Sequence, residues 1–221
     1  MTWDEFVVGW AVVYDGYDMR YAPAPRRRLL GVTYRVGRVL AGFGVRPGSL
    51  MLISVMCSLA VPLLAYRGGS WAAAALLAML AGLGADTLGS ALTVLTGRVS
   101  RLSTFYQALA ERVAEICWLC ALALLGARPG LIVVVAMLVW MHEYVRARVG
   151  AAALRPTATT TVGDRSTRTW LVLAALLVAA LSAQVGNDLA AGAVTLVVVT
   201  WLALAMIGIG QLLGIIRKVL A

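Results

Sequence analysis

The chain has 221 residues, 62% of them hydrophobic and only 13% charged, with a mean hydropathy of +0.89. A soluble domain carries roughly 25% charged residues, so a globule wetted on all sides is excluded and the composition is that of a polytopic helical membrane protein. The net charge of +9 favours anionic lipid headgroups or phosphorylated substrates over nucleic acid as partners.

The N-terminal stretch "MTWDEFVVGWAVVYDGYD" is acidic and its apolar patch is short, the reverse of a secretory signal. Residues 1–25 are expected to form a polar, aromatic, partly ordered leader. Residues 26–43, "RRRLLGVTYRVGRVLAGF", place Leu29, Val32, Val36, Val39, Leu40 and Phe43 at three- and four-residue steps, with Arg27, Arg28, Arg35 and Arg38 on the other side. This predicts an amphipathic helix lying in the cytoplasmic interface. Residues 1–46 are thus expected to be a cytoplasmic leader, and 47–221 a transmembrane domain.

Low-charge runs follow at 48–66, 70–85, 116–127, 129–141, 169–187 and 189–216. Most approach or exceed the ~20 residues that cross a bilayer as a helix. The third and fourth do so only by including Glu111 and Glu115, or Glu143. Short Gly- and Pro-rich connections ("YRGGSW", "GARPG", "QVGND") predict antiparallel neighbours, and the long connection, roughly 150–168, carries "ALRPTATTTVGDRSTR". All of the 19 basic residues except Arg67 and Arg128 then fall on one face. By the positive-inside rule, six spans with both termini cytoplasmic are expected, in the plasma membrane. Small-residue steps, Ala81 to Ala85 and Gly210 to Gly214, permit close helix contact within a bundle or across a dimer.

Cys117 and Cys120 form a C-x-x-C inside the apolar "EICWLCALALL", with no second ligand pair. They are expected to be two small core residues. His142, the single histidine, is expected to be a hydrogen-bonded interfacial residue rather than a metal ligand.

The polar residues within the apolar runs are more informative, because an ionisable group at bilayer depth usually faces the bundle interior or a wet cavity. Asp86 shares a helix face with Gly89 and Ser90, and Gln107, Glu111 and Glu115 form one stripe on the next helix. An antiparallel pair joined at "TGRVSR" would bring Asp86 and the Glu111 stripe to one depth, around a polar pocket open to the cytoplasm. A purely structural alternative pairs Glu111 and Glu115 with Arg112, Arg146 or Arg148.

This stretch resembles the CDP-alcohol phosphotransferases, whose signature reads D-x-x-D-G-x-x-A-R, eight residues, G-x-x-x-D-x-x-x-D. The similarity extends over roughly residues 26–216. "GVRPGSLMLISVMCSLA" is similar to the start of the family's first membrane helix, "AERVAE" to its "DRxSD" stretch. "EYVRARVGA" and "TTVGDRSTRTWLV" are similar to the "SYVRARAE" and "ERPTR" segments of the branch that makes phosphatidylinositol phosphate. The resemblance implies an all-α, six-helix membrane fold in which four Asp bind two divalent metals that hold the diphosphate of a CDP-linked lipid. The last Asp acts as base, and CMP leaves. Magnesium or manganese suits such oxygen ligands.

This chain departs from the signature at decisive positions. Asp86 keeps the first Asp; Gly89 and Ser90 stand for the second Asp and the Gly, and Thr93 and Val94 for Ala-Arg. Ser103, Gln107 and Glu111 stand for the later Gly, Asp and Asp. The resemblance therefore implies Asp86, Gln107 and Glu111 as a degenerate set for at most one metal, with Glu111 as the catalytic residue. It implies Asp86, Gly89 and Ser90 as the nucleotide-binding region, and Arg112, Arg146, Arg148, Arg165 and Arg168 as phosphate- or acceptor-binding residues.

Three readings follow. The leading one is a catalytically impaired relative that binds membrane lipid or a CDP-diacylglycerol-like ligand, or pairs with a related chain, as a homodimer or heterodimer. The second is an active transferase with a reduced site, using magnesium or manganese; the first needs no metal. The third is a transporter or structural membrane protein.

Overall fold

The computed structural model describes residues 1–13, 20, 24–152 and 161–220. The described residues form eight α-helices and no strand. They are α1 (Trp3–Val13), α2 (Ala24–Gly42), α3 (Pro47–Ala65), α4 (Ala72–Leu95), α5 (Arg101–Leu124), α6 (Pro129–Ala152), α7 (Arg165–Ser182) and α8 (Asn187–Leu220), with a 3-10 turn at Gly69–Trp71. Helices α3, α4, α6, α7 and α8 are long and apolar enough to cross a membrane, giving an all-helical, multi-pass membrane protein. The remaining expected span is α5. Its 24 residues would reach about 36 Å at 1.5 Å per residue, but Arg101, Glu111, Arg112 and Glu115 make it too polar to qualify on composition. The helix also starts well before the apolar run at 116, because Ser100 and Ser103 cap it. Each backbone N–H of the pair meets the other's hydroxyl, at 2.9 and 3.0 Å.

The chain divides into two compact units. The first comprises residues 1–57 and 80–114. Its leader is more ordered than the sequence suggests, since Trp3–Val13 folds as a helix. Thr2 and Glu5 close a capping box at its start, the Thr2 N–H donating to Glu5 Oε2 at 2.7 Å. That bond holds the Glu5 carboxyl below its ordinary range. Phe6 and Val7 are buried against Leu30 of α2 and Ala91 and Val94 of α4, with Trp3, Trp10 and Tyr34 around them. Contact is close enough that a Cβ on Gly9 would come within 2.9 Å of Val94 Cγ1.

Helix α2 runs over nearly the expected range, and its two apolar edges have different fates. Leu30, Thr33 and Gly37 are buried in the protein. Leu29, Val32, Val36, Val39 and Phe43 are exposed, with Phe43 at 80%. Those are the residues expected to face lipid, so the periodicity identified an outward stripe while the packed edge went unread.

The second unit comprises residues 58–79 and 115–221. Helix α8 packs against both α6 and α7, around Val139, Val172, Leu176, Val198 and Trp201. Cys117 is buried as expected, but Cys120 is exposed and not a core residue.

The buried arginine of this unit is met by acids. Arg168 is 1% exposed, and its Nη2 lies 3.1 Å from Glu115 Oε1 and 2.6 Å from Glu143 Oε1. A cation removed from water persists only with such partners. Beside it, Asp164 anchors the end of the long connection. It accepts from the Thr161 N–H and hydroxyl, both at 3.0 Å, and pairs with Arg146 at 3.1 Å. With its hydroxyl proton given to Asp164, Thr161 accepts from His142 Nε2 at 2.9 Å, which assigns the proton to that ring nitrogen. The Val162 N–H donates to Gln211 Oε1 of α8 at 2.9 Å. At the adjoining contact a Cβ on Gly208 would sit 2.7 Å from the Gly163 nitrogen.

Two outcomes follow. Gly208→Ala forces backbone against backbone and is expected to destabilise the protein by about 1–3 kcal/mol, whereas Gly192→Ala, which meets open space, is expected to be neutral or stabilising; thermal unfolding in detergent separates them. Arg168→Leu leaves Glu115 buried without its guanidinium, at a cost of about 3–5 kcal/mol. Adding Glu115→Gln should recover part of the loss in the same assay.

Candidate functional site

The first unit holds a cavity of about 280 Å³. Three short segments build it. On α4, Asp86, Gly89, Ser90 and Thr93 recur at steps of three, one and three, so one helix face supplies all four. On α5, Ser103 and Gln107 are one turn apart and Tyr106 stands beside them. The start of α3 contributes Pro47, Gly48 and Met51. The turn from α4 to α5 is short because Gly97 takes a left-handed conformation, φ 63°, and Arg98 N–H returns to Thr93 O at 3.0 Å.

A hydrogen bond joins the two helices at the cavity: Gln107 Nε2 donates to Ser90 Oγ at 2.7 Å. Ser90 is 6% exposed. The sequence resemblance expects Gly and Asp at these two positions; a hydroxyl and a neutral amide meet there instead. Gly89 lies against α3; a Cβ there would be 3.4 Å from Leu50 Cβ and 3.6 Å from Pro47 O. There is room for a methyl group but no side chain to coordinate an ion. Helix α3 begins at Pro47, which has no N–H, so its start brings the Gly48 amide and the positive end of the helix dipole to this wall.

Among the expected site residues, the structure thus brings Asp86, Gly89, Ser90 and Gln107 together on one cavity. Glu111 is on α5 one turn beyond Gln107, half-buried and outside the residues lining it. Arg112 is half-buried on the same helix. Arg146, Arg148, Arg165 and Arg168 belong to the second unit, where Arg146 and Arg168 are engaged by Asp164, Glu115 and Glu143. Glu115, read from sequence as part of the Gln107–Glu111 stripe, instead meets Arg168 of α7.

Among the described residues, Asp86 is the only carboxylate lining the cavity. No cluster of three or more His, Cys, Asp or Glu able to hold a metal occurs among the described residues. Two divalent cations bring four positive charges, and one carboxylate with neutral amide and hydroxyl oxygens does not balance them. The residues present do not fit a two-metal centre.

Sequence reasoning missed Pro47, Gly48, Met51 and Tyr106 as wall residues. The proline that opens α3 was visible as a helix start, but its proximity to Gly89 depends on packing that no local pattern encodes.

No family model and no curated protein matches the chain. Among solved structures, it is similar to the crystal structure of Mycobacterium tuberculosis phosphatidylinositol phosphate synthase (PgsA1) with CDP-DAG bound. The TM-score is 0.62 at 17% identity, over 82% of this chain and 93% of that one. At that identity the likeness is one of architecture, and the chain has the fold of this membrane phosphatidylinositol phosphate synthase.

Proposed function

We propose that this protein is a CDP-alcohol phosphotransferase relative that binds a CDP-linked phospholipid in the cavity of its first unit and does not carry out two-metal phosphoryl transfer. The carrying observation is the Ser90–Gln107 hydrogen bond. It joins two neutral side chains at positions the resemblance aligns with the signature's Gly and Asp, and among the described residues Asp86 is the one acid on the wall. The fold shared with a synthase whose structure holds CDP-DAG supports the ligand class. The excess of basic residues on one face supports a cytoplasmic opening and cytoplasmic termini, with α5 as the sixth span.

In such a site the chain's own groups bind and orient. The amides at the start of α3 favour an anion, Asp86 and the Gln107 amide meet polar ligand groups, and Tyr106 offers a flat face. The pair also rigidifies the wall, because a buried hydroxyl and amide that satisfy each other resist separation.

The decisive experiment measures CMP release and ligand binding on the purified chain in detergent, with CDP-diacylglycerol, magnesium or manganese, and a panel of alcohols. Binding without CMP release is the expected result. Metal-dependent release, abolished by EDTA and by Asp86→Ala, would overturn it in favour of an active transferase with a reduced site.

Two further outcomes are expected. Gln107→Ala removes a polar bond worth about 1 kcal/mol and should weaken CDP-diacylglycerol binding roughly fivefold, as read by titration. The quadruple variant Gly89→Asp, Ser90→Gly, Gln107→Asp, Glu111→Asp should gain metal-dependent CMP release.

A further inference from the structure

A second, more open depression of about 520 Å³ adjoins the cavity and shares Pro47, Gly48, Thr93 and Ser103 with it. Its own contributions differ in character: Arg46, just before α3, and Arg98, just after α4, line it together with Ser49, and no acidic residue does among the described residues. Among the described residues neither guanidinium has an ion-pair partner. Two like charges on one concave surface repel, and an anion between them turns that repulsion into attraction. The start of α3 adds the positive end of its helix dipole. The signature's own arginine position, Val94, is buried under α1 and 3% exposed, so positive charge beside the cavity comes from elsewhere in the chain.

We propose that Arg46 and Arg98 form a phosphate-binding subsite contiguous with the cavity, which takes the phosphate or diphosphate of the ligand. The inference deepens the reading of the cavity as a nucleotide-lipid site and rests on it for the identity of the bound lipid. The recognising chemistry is two guanidinium groups forming charge-assisted hydrogen bonds to phosphoryl oxygens, with Ser49 at the rim. A free diphosphate and a diphosphate esterified to lipid share this chemistry.

The test uses the full chain in detergent micelles, with two probes measured by titration: inorganic pyrophosphate, and CDP-diacylglycerol in mixed micelles. Arg46→Gln and Arg98→Gln are each expected to weaken both probes about tenfold, the double variant more, and Arg→Lys at each position should retain part of the affinity. Arg38→Gln, on the exposed side of α2, controls for diffuse surface charge and should change little. Both target arginines are exposed, so the variants should unfold at the native temperature.

If CDP-diacylglycerol binds the native and double-variant chains equally, the subsite is wrong while the cavity reading stands. Pyrophosphate binding that depends on both arginines, without CDP-diacylglycerol binding, upholds the anion subsite and removes the nucleotide-lipid reading. A native chain that binds neither probe, or an Arg38→Gln loss equal to that of Arg98→Gln, overturns the proposal.

Discussion

A polar group carried into a helical membrane protein has to find its partner inside the protein, because the surrounding hydrocarbon offers none. That constraint decides where the informative side chains of this chain stand. Arg168 is tolerated because Glu115 and Glu143 meet it. Ser90, nearly buried on an apolar helix, is answered by Gln107. Thr161, Asp164, Arg146 and His142 satisfy one another and fasten the end of the long connection before α7 begins. Hydrophobic length makes the helices, and this matching determines which faces they turn inward.

The same constraint separates what was legible in the sequence from what was not. Long apolar runs and their turns are local signals, so the helical class and most boundaries could be read directly. The face shared by Asp86, Gly89 and Ser90 was also legible, because it depends only on helical period. The partners were not. Glu115 follows Gln107 and Glu111 at perfect four-residue steps, yet its partner is an arginine far along the chain. Helix α1 escaped notice because eleven residues with acidic and aromatic character carry too little periodicity, and its burial depends on α2 and α4. Arg46 and Arg98 were counted only as charges that set orientation. That they line one depression depends on how α3 meets α4.

Substitution in the signature need not leave a ruin. A simple loss of carboxylates would leave unsatisfied or unfilled positions. Here the residue that adds a hydroxyl and the residue that exchanges carboxylate for amide bond to each other at 2.7 Å. That bond ties α4 to α5 at the cavity wall, and on the proposed reading it does so without the negative charge that divalent ions require. Shape and charge are therefore separable properties of the same wall: helix packing preserves the first, and a few side chains set the second.

Helix α1 gives the first unit an internal gauge. Its aromatic residues rest on Ala91 and Val94, on the flank of the α4 segment that also carries Ser90 and Thr93. Trp3 packs edge-on to Tyr34 at 5.4 Å, and Phe6 lies 5.7 Å from Trp10. A shift of that α4 segment must move the rings packed on it. Indole emission responds to such changes in packing, so the movement would register at Trp3 and Trp10 with no dye or label attached.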